Sequence, residues 1–61
     1  MRLYELKKHD KFKCPQHNSE ETFTFIKVDG MYSICLDSNQ ETVHIAAFTE
    51  VEIVEKKNEV Q

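Results

Sequence analysis

The sequence has few of the residues that mark special architectures: among 61 residues there is no tryptophan, one glycine, one proline and two cysteines. Two cysteines are too few for the disulfide framework of a small secreted domain, and residues 1–10 contain no apolar leader segment. We therefore expect a cytoplasmic protein in which Cys14 and Cys35 stay reduced. No apolar run approaches the roughly 20 residues of a membrane-spanning helix, so we expect no membrane association.

Length and composition predict one small globular domain. With 39% hydrophobic and 31% charged residues, the chain is typical of a folded domain rather than a disordered segment. A chain of this size buries only about 60% of the surface that its unfolded form exposes, so its stability should be marginal. We place the domain at residues 1–55 and a flexible tail at residues 56–61.

The strongest local signals lie in residues 22–55, where β-branched and aromatic runs alternate with turn residues. Asp29-Gly30 separates two apolar runs and predicts a tight hairpin with a type I′ turn, in which both central residues have positive φ. Gly30 is the only glycine, and we interpret it as placed for backbone geometry. A second turn is predicted over residues 37–40, because Asp, Ser and Asn side chains hydrogen-bond their own backbone.

The strand before this hairpin carries apolar residues on both faces. Simple alternation places Phe23 and Phe25 on one face and Ile26 and Val28 on the other. A strand that is apolar on both sides within so short a chain predicts a bend or bulge near residues 25–26, where the sheet curls over its core.

Two more strands are predicted, over residues 42–45 and 51–55, with residues 46–49 between them. Four residues are too few for an α-helix, so we predict a single 3-10 turn there, with Phe48 capping one end of the core. Alternation along the two strands assigns their core-facing residues: Val43, Ile45, Val51 and Ile53.

The N-terminal residues give weaker signals. Leu3 and Leu6 are three apart, which fits a very short helix or an irregular segment that lays both leucines on the core. His9-Asp10 predicts a turn before a first strand over residues 11–13, in which Phe12 faces inward.

Pro15 ends the first strand, because proline lacks an N–H and biases Cys14 toward extended backbone. The polar residues 16–21 follow, and we predict that they form the longest exposed loop of the chain.

This order of segments resembles the SH3-like small barrels found in small phage- and prophage-encoded proteins of unknown function. It implies an all-β fold: a five-stranded antiparallel SH3-like barrel with a 3-10 turn before the last strand. The family lead-in has glycine where this chain has His9, and the absence of tryptophan and of an ALYDY-like run means that polyproline binding is not implied. The resemblance covers residues 3–55 and is carried by Leu3, Leu6, Asp10-Lys11-Phe12, Asp29-Gly30-Met31-Tyr32 and Phe48-Thr49-Glu50-Val51-Glu52.

Charge is divided unevenly along the chain. Residues 1–13 hold five basic and two acidic residues, whereas residues 14–55 hold one lysine and eight acidic residues, and the net charge is −3. An acidic body repels phosphate and suits a protein partner with a basic patch. We therefore predict a non-enzymatic protein-interaction module, of the type of a phage accessory or inhibitor protein that binds a host protein. The candidate partner-binding residues are Glu41, Glu50, Glu52, Tyr4 and Met31.

Alternatives to this interface stay open. The same glutamates could simply form a solvated outer face, the usual environment of charges that alternate with core residues. Homodimers formed through strand pairing or an apolar patch are a further alternative. A small nucleic-acid-binding barrel would use the basic segment next to aromatic residues, although the net charge has the wrong sign. Its candidate residues are Lys7, Lys8, Lys11 and Lys13.

Four side chains could in principle form a tetrahedral zinc site: Cys14, His17, Cys35 and His44. Their spacing matches no standard zinc finger, and the simpler interpretation is two packed cysteines and two solvated histidines. We therefore expect no metal and no cofactor. A barrel of this size also has little room for a catalytic cleft, so we do not expect an enzyme.

Overall fold

The computed structural model describes residues 1–15 and 18–55, so the predicted tail at residues 56–61 and the candidate ligand His17 lie outside the described residues. The described chain is all-β, as predicted. A single 3-10 turn, Leu3–Glu5, precedes one five-stranded antiparallel sheet with the strand order β4-β3-β2-β1-β5. The strands are β1 (Lys11–Cys14), β2 (Asn18–Asp29), β3 (Tyr32–Leu36), β4 (Thr42–Ala46) and β5 (Glu52–Glu55).

Strand β2 is longer than the sequence suggested, and the predicted loop over residues 16–21 is wrong for its second part. The strand begins at Asn18, which pairs with Cys14, and the register with β1 shifts before Lys13 pairs with Thr22. The polar side chains of residues 18–21 indicated a loop, but the hydrogen bonds between strands involve only backbone groups. The carboxylate of Glu21 also accepts hydrogen bonds from the Ser38 N–H and hydroxyl, at 3.2 and 2.9 Å.

The predicted bulge in β2 is confirmed. Phe25 pairs with Cys35 and Lys27 pairs with Ile34, so Ile26 is the extra residue. One consequence was missed: a bulge shifts the alternation by one residue. Val28 therefore pairs with the buried Ser33 and lies on the core face, not on the face that simple alternation assigned to it.

The β2–β3 hairpin turns at Gly30-Met31, because Asp29 and Tyr32 form its closing pair. Gly30 has φ +69°, whereas Asp29 and Met31 have no positive φ. Positive φ at the first central residue alone is the signature of a type II′ turn, so the predicted type I′ turn centred on Asp29-Gly30 is wrong by one residue. The role of Gly30 in backbone geometry is confirmed.

The core lies between the inner face of the sheet and the N-terminal segment. Phe12 and Phe23 form its centre, with stacked rings whose centroids are 5.6 Å apart. Leu3 and Leu6, at the two ends of the 3-10 turn, are both buried, and Val43 and Ile45 pack against the cluster as partly buried residues. The buried members of the cluster are Leu3, Leu6, Phe12, Cys14, Phe23, Phe25, Cys35 and Val51.

The connection between β4 and β5 differs from its prediction. A single hydrogen bond from the Thr49 N–H to the Ala46 carbonyl, at 3.0 Å, closes a turn there, and the 3-10 turn of the described chain lies instead at Leu3–Glu5. Phe48 is 61% exposed and does not cap the core, because Ala47 takes the inward position and is 4% exposed. Ile53 pairs with buried Phe12 on the core face, yet it is 36% exposed because β5 is an edge strand.

Candidate interaction surface

The N-terminal segment lies alongside the connection between β4 and β5. The Leu3 N–H donates to the Thr49 carbonyl at 2.9 Å, and the Tyr4 N–H donates to the Ala47 carbonyl at 3.1 Å. At the other end, the Val51 N–H donates to the Met1 carbonyl at 2.8 Å. Three backbone hydrogen bonds therefore hold two segments together that are far apart in sequence.

This junction presents an aromatic pair to solvent. The rings of Tyr4 and Phe48 meet edge to face, with centroids 6.0 Å apart and an interplanar angle of 73°. The Arg2 guanidinium donates to the Phe48 carbonyl at 3.0 Å. Tyr4 is half exposed and Phe48 is more exposed still. Such pairs are favourable beyond the area they bury, so each ring helps to hold the other in place.

Met31 borders the same junction. Its carbonyl accepts the Ala47 N–H at 2.9 Å, while the Ala47 carbonyl accepts the Tyr4 N–H, so the backbones of Met31 and Tyr4 flank Ala47. Met31 is 71% exposed. We call Tyr4, Met31 and Phe48 together the aromatic surface. Sequence analysis included Tyr4 and Met31 but missed Phe48, although the small Ala46-Ala47 pair before it was a signal that a small residue could fill the inward position.

Glu50 lies next to the aromatic surface, and its carboxylate is paired with two cations of the same chain. Its carboxylate accepts from the N-terminal ammonium group of Met1 at 2.9 Å and lies 3.2 Å from Arg2. The hydrogen bond and positive charge of the N-terminus, and then the charge of Arg2, lower the pKa of Glu50. An exposed carboxylate with two internal cations is a weak anchor for a basic partner.

The predicted acidic face is not one compact site. Glu41 precedes β4, whereas Glu50 follows the turn at the far end of that strand, and a five-residue strand is roughly 17 Å long. Glu52 is exposed on β5 and pairs with Lys13 of β1. Glu50 is linked to the aromatic surface through Arg2, whose guanidinium lies 3.2 Å from the Glu50 carboxylate and donates to the Phe48 carbonyl.

The candidate lysines are similarly divided. Lys7 and Lys8 are exposed in the turn before β1. Lys11 and Lys13 share the outer face of β1, where the Lys11 ammonium donates to the Thr24 hydroxyl at 3.2 Å. Lys13 also pairs with the exposed Glu52 of β5. Adjacent opposite charges across a strand pair reduce the positive potential that a phosphate backbone would meet.

The zinc candidates that the structure describes do not converge. Cys35 and His44 are on neighbouring strands, as expected, but His44 pairs with Ile34 and is exposed on the outer face, whereas Cys35 is fully buried. Cys14 is also fully buried, and both cysteines are free thiols. Among residues 1–15 and 18–55, no group of three His, Cys, Asp or Glu residues could hold a metal ion.

The two thiols are in an apolar environment. Burial raises the pKa of Cys14, and the nearby Cys35 raises it further. Burial also raises the pKa of Cys35, although the Ser33 hydroxyl, 3.3 Å from its sulfur, and the Ile26 backbone partly oppose this effect. A raised thiol pKa suppresses the thiolate, the form that acts as nucleophile and metal ligand.

The structure also contains a groove on the outer face of β1–β3 that sequence analysis did not predict. It has a volume of about 490 Å³ and is lined by two apolar and four polar residues. His9 and Gln40, which line it, both have positive φ, and turn signals alone did not reveal that these turns would approach one groove. The lining residues are His9, Lys11, Thr24, Ile26, Leu36 and Gln40.

Comparisons with protein-family models, with curated proteins and with solved structures found no match. Among the residues described here, no helix has the length and apolar character needed to cross a bilayer. The functional interpretation therefore depends on the geometry of this chain, and above all on the aromatic surface.

Proposed function

We propose that this chain is a non-enzymatic protein-interaction module, of the phage accessory or inhibitor type, that binds a host protein through the aromatic surface. The observation that carries the proposal is the exposed Tyr4–Phe48 pair, which backbone hydrogen bonds hold in place. Aromatic side chains dominate binding energy at protein interfaces, and anchors that are already ordered lose less entropy on binding. The predicted role of Tyr4 and Met31 is kept, and Phe48 is added to it.

The finer fold belongs to the same proposal. We infer an SH3-like barrel that is open between β4 and β5, the two edge strands of the sheet. The strand order β4-β3-β2-β1-β5 and the bulge at Ile26, which curls the long strand β2, support this assignment. The buried free thiols of Cys14 and Cys35 support a cytoplasmic, reducing setting.

The chemistry of the surface indicates the kind of partner. Two aromatic rings and a flexible methionine side chain require an apolar pocket or groove on the partner protein. The charged neighbours Arg2 and Glu50 pair with each other at 3.2 Å, so they form a polar rim rather than a charged anchor. Net charge −3 favours encounter with a basic partner through long-range attraction, without a single acidic contact site.

The test is a pull-down from nuclease-treated bacterial lysate with the tagged chain, followed by mass spectrometry. We expect the unmodified chain to retain one stoichiometric host protein. Tyr4→Ser together with Phe48→Ser should reduce its capture at least about tenfold, the loss of roughly 1.4 kcal/mol of binding energy. Both side chains are exposed, so the double variant should fold normally, which circular dichroism would verify. Val54→Ser, at an equally exposed apolar position on β5, is the matched control and should not affect capture.

Equal capture by the double variant would contradict the proposal. If the treated lysate gave no partner and untreated lysate gave bound nucleic acid, the nucleic-acid alternative would replace it. In that case Lys8→Glu, Lys11→Glu and Lys13→Glu should abolish the retention of nucleic acid, and the aromatic substitutions should not.

A further inference from the structure

Strand β4 forms one edge of the sheet, and its free side is unusually well suited to pairing with another strand. In the described chain it pairs only with β3, through five consecutive residue pairs without a bulge. An edge strand presents backbone donors and acceptors to any strand that approaches it.

Two backbone hydrogen bonds establish which N–H and C=O groups of β4 point to the free side of the strand. The Ala47 N–H donates to the Met31 carbonyl at 2.9 Å, and the Asp37 N–H donates to the Glu41 carbonyl at 3.0 Å. In an antiparallel ladder, bonded and non-bonded pairs alternate. The pairs between these two ends therefore direct the N–H and C=O groups of Val43 and Ile45 toward β3. The N–H and C=O groups that point to the free side belong to Thr42, His44 and Ala46.

The free side of β4 lacks the features by which natural proteins block edge pairing. The strand Thr42–Ala46 contains no lysine, no carboxylate and no proline. The opposite edge differs, because the sequence of β5 begins with Glu52 and ends with Glu55. Among residues 1–15 and 18–55, Thr49 is the one residue whose N–H bonds to the outward groups of β4, through the Ala46 carbonyl at 3.0 Å.

We propose that two copies of this chain pair through β4, antiparallel and with a two-fold axis at His44. The backbone groups of Thr42, His44 and Ala46 can all form hydrogen bonds to a second copy only in this register. His44 then lies opposite the partner's His44, and Thr42 lies opposite the partner's Ala46. The central pair contributes two hydrogen bonds. On each side, the Ala46 N–H meets the Thr42 carbonyl, and the Thr42 N–H meets the second lone pair of the Ala46 carbonyl.

Side chains in this register are compatible with a second copy. On the core-facing side, the half-buried Val43 lies opposite the partner's Ile45, so both gain apolar cover. On the outer side, Thr42 lies opposite the partner's Ala46 and His44 lies opposite the partner's His44, and the strand brings no lysine, arginine or carboxylate to this contact. A second copy is therefore the occupant that this edge fits by its own symmetry, and the contact closes after two chains. The proposal does not depend on the aromatic surface.

The test is sedimentation equilibrium of the full chain up to millimolar concentration. We expect a monomer–dimer equilibrium for the unmodified chain and a dissociation constant at least about tenfold higher for His44→Pro. Proline suits this position because the His44 N–H points away from β3, so the ladder to β3 loses no bond. His44→Thr keeps the N–H and should dimerise like the unmodified chain. His44→Lys also keeps it but opposes two ammonium groups, and should weaken the dimer without altering the fold.

Three results would overturn the proposal: an unmodified chain that stays monomeric throughout, a folded His44→Lys variant that dimerises as tightly as the unmodified chain, or loss of the dimer in Phe48→Ser. The last result would move self-association to the aromatic surface. The partner pull-down can fail while this experiment succeeds, and the reverse, because the two surfaces are tested by different substitutions.

Discussion

The four phenylalanines have two very different environments. Phe12, Phe23 and Phe25 are almost completely buried, and Phe48 is 61% exposed. Phe25 pairs with the buried Cys35 next to the bulge in β2, and its ring is buried in the core. Removing a buried ring loses both its transfer free energy and the contacts around the cavity that remains.

We predict that Phe25→Ala lowers the free energy of unfolding by about 3–5 kcal/mol, a large part of the stability of a domain of this size, so that the variant unfolds at much lower urea concentration or without urea. The same change at Phe48 removes an exposed ring and should cost less than about 1 kcal/mol. Urea denaturation followed by circular dichroism measures both. A cost at Phe48 as large as that at Phe25 would mean that Phe48 packs in the core after all.

A second residue-scale feature is the turn before β1. The Asp10 N–H donates to the Lys7 carbonyl at 2.9 Å, which confirms the predicted turn, and His9 has φ +76°. The Asp10 carboxylate in turn accepts the Lys7 N–H at 2.9 Å through Oδ2. Left-handed backbone is costly for residues other than glycine, so His9 needs local support. The carboxylate of Asp10 provides this support.

At the scale of elements, each of the two hairpins contains a residue with positive φ, and the type of residue differs between them. The β2–β3 hairpin has glycine at its positive-φ position, Gly30, and the β3–β4 hairpin has Gln40, with φ +67°. The second hairpin compensates with side-chain bonds, because the Asp37 carboxylate accepts the N–H groups of Asn39 and Glu41 at 2.8 and 2.9 Å. This was predictable from the residues at positions 37–40; the left-handed Gln40 was not.

The two hairpins should therefore respond to substitution in opposite directions. Gly30→Ala should lower the free energy of unfolding by about 1–2 kcal/mol, through backbone strain alone, because a Cβ there would meet no atom within 4 Å. Gln40→Gly should relieve strain and raise stability by up to about 1 kcal/mol. Thermal unfolding of the two variants beside the unmodified chain measures both shifts. A stabilising Gly30→Ala would contradict the type II′ turn.

At the scale of the whole molecule, the core is small and chemically mixed. Its buried cluster, as far as the structure describes it, consists of eight residues, and two of these are thiols. Burial raises the pKa of both Cys14 and Cys35 above the ordinary value of a free thiol. The core is therefore stable only with both thiols protonated, because a thiolate loses favourable solvation when it is buried.

We predict that stability falls at alkaline pH because of these thiols. Their stabilising contribution is fully present below about pH 8.5, where thiols of the unfolded chain begin to ionise, and is lost as the pH rises toward the raised pKa of the folded state. The free energy of unfolding should therefore decrease above about pH 8.5, and decrease less steeply in Cys35→Ala or Cys14→Ala. Urea denaturation at several pH values measures the slopes. Equal slopes in the variants and the unmodified chain would contradict the prediction.

Local sequence patterns by themselves determined the all-β class, the antiparallel neighbours joined by tight turns, the bulge near Phe25 and most of the core, because these features depend on alternation, β-propensity and turn chemistry within a few residues. Tertiary structure decided what depends on distant segments. Phe48 is exposed because Ala47 fills the inward position of the β4–β5 connection, which backbone hydrogen bonds from Leu3 and Tyr4 hold in place. The same packing separates Glu41 from Glu50, and simple alternation does not report which face a strand presents beyond a bulge, as Val28 shows.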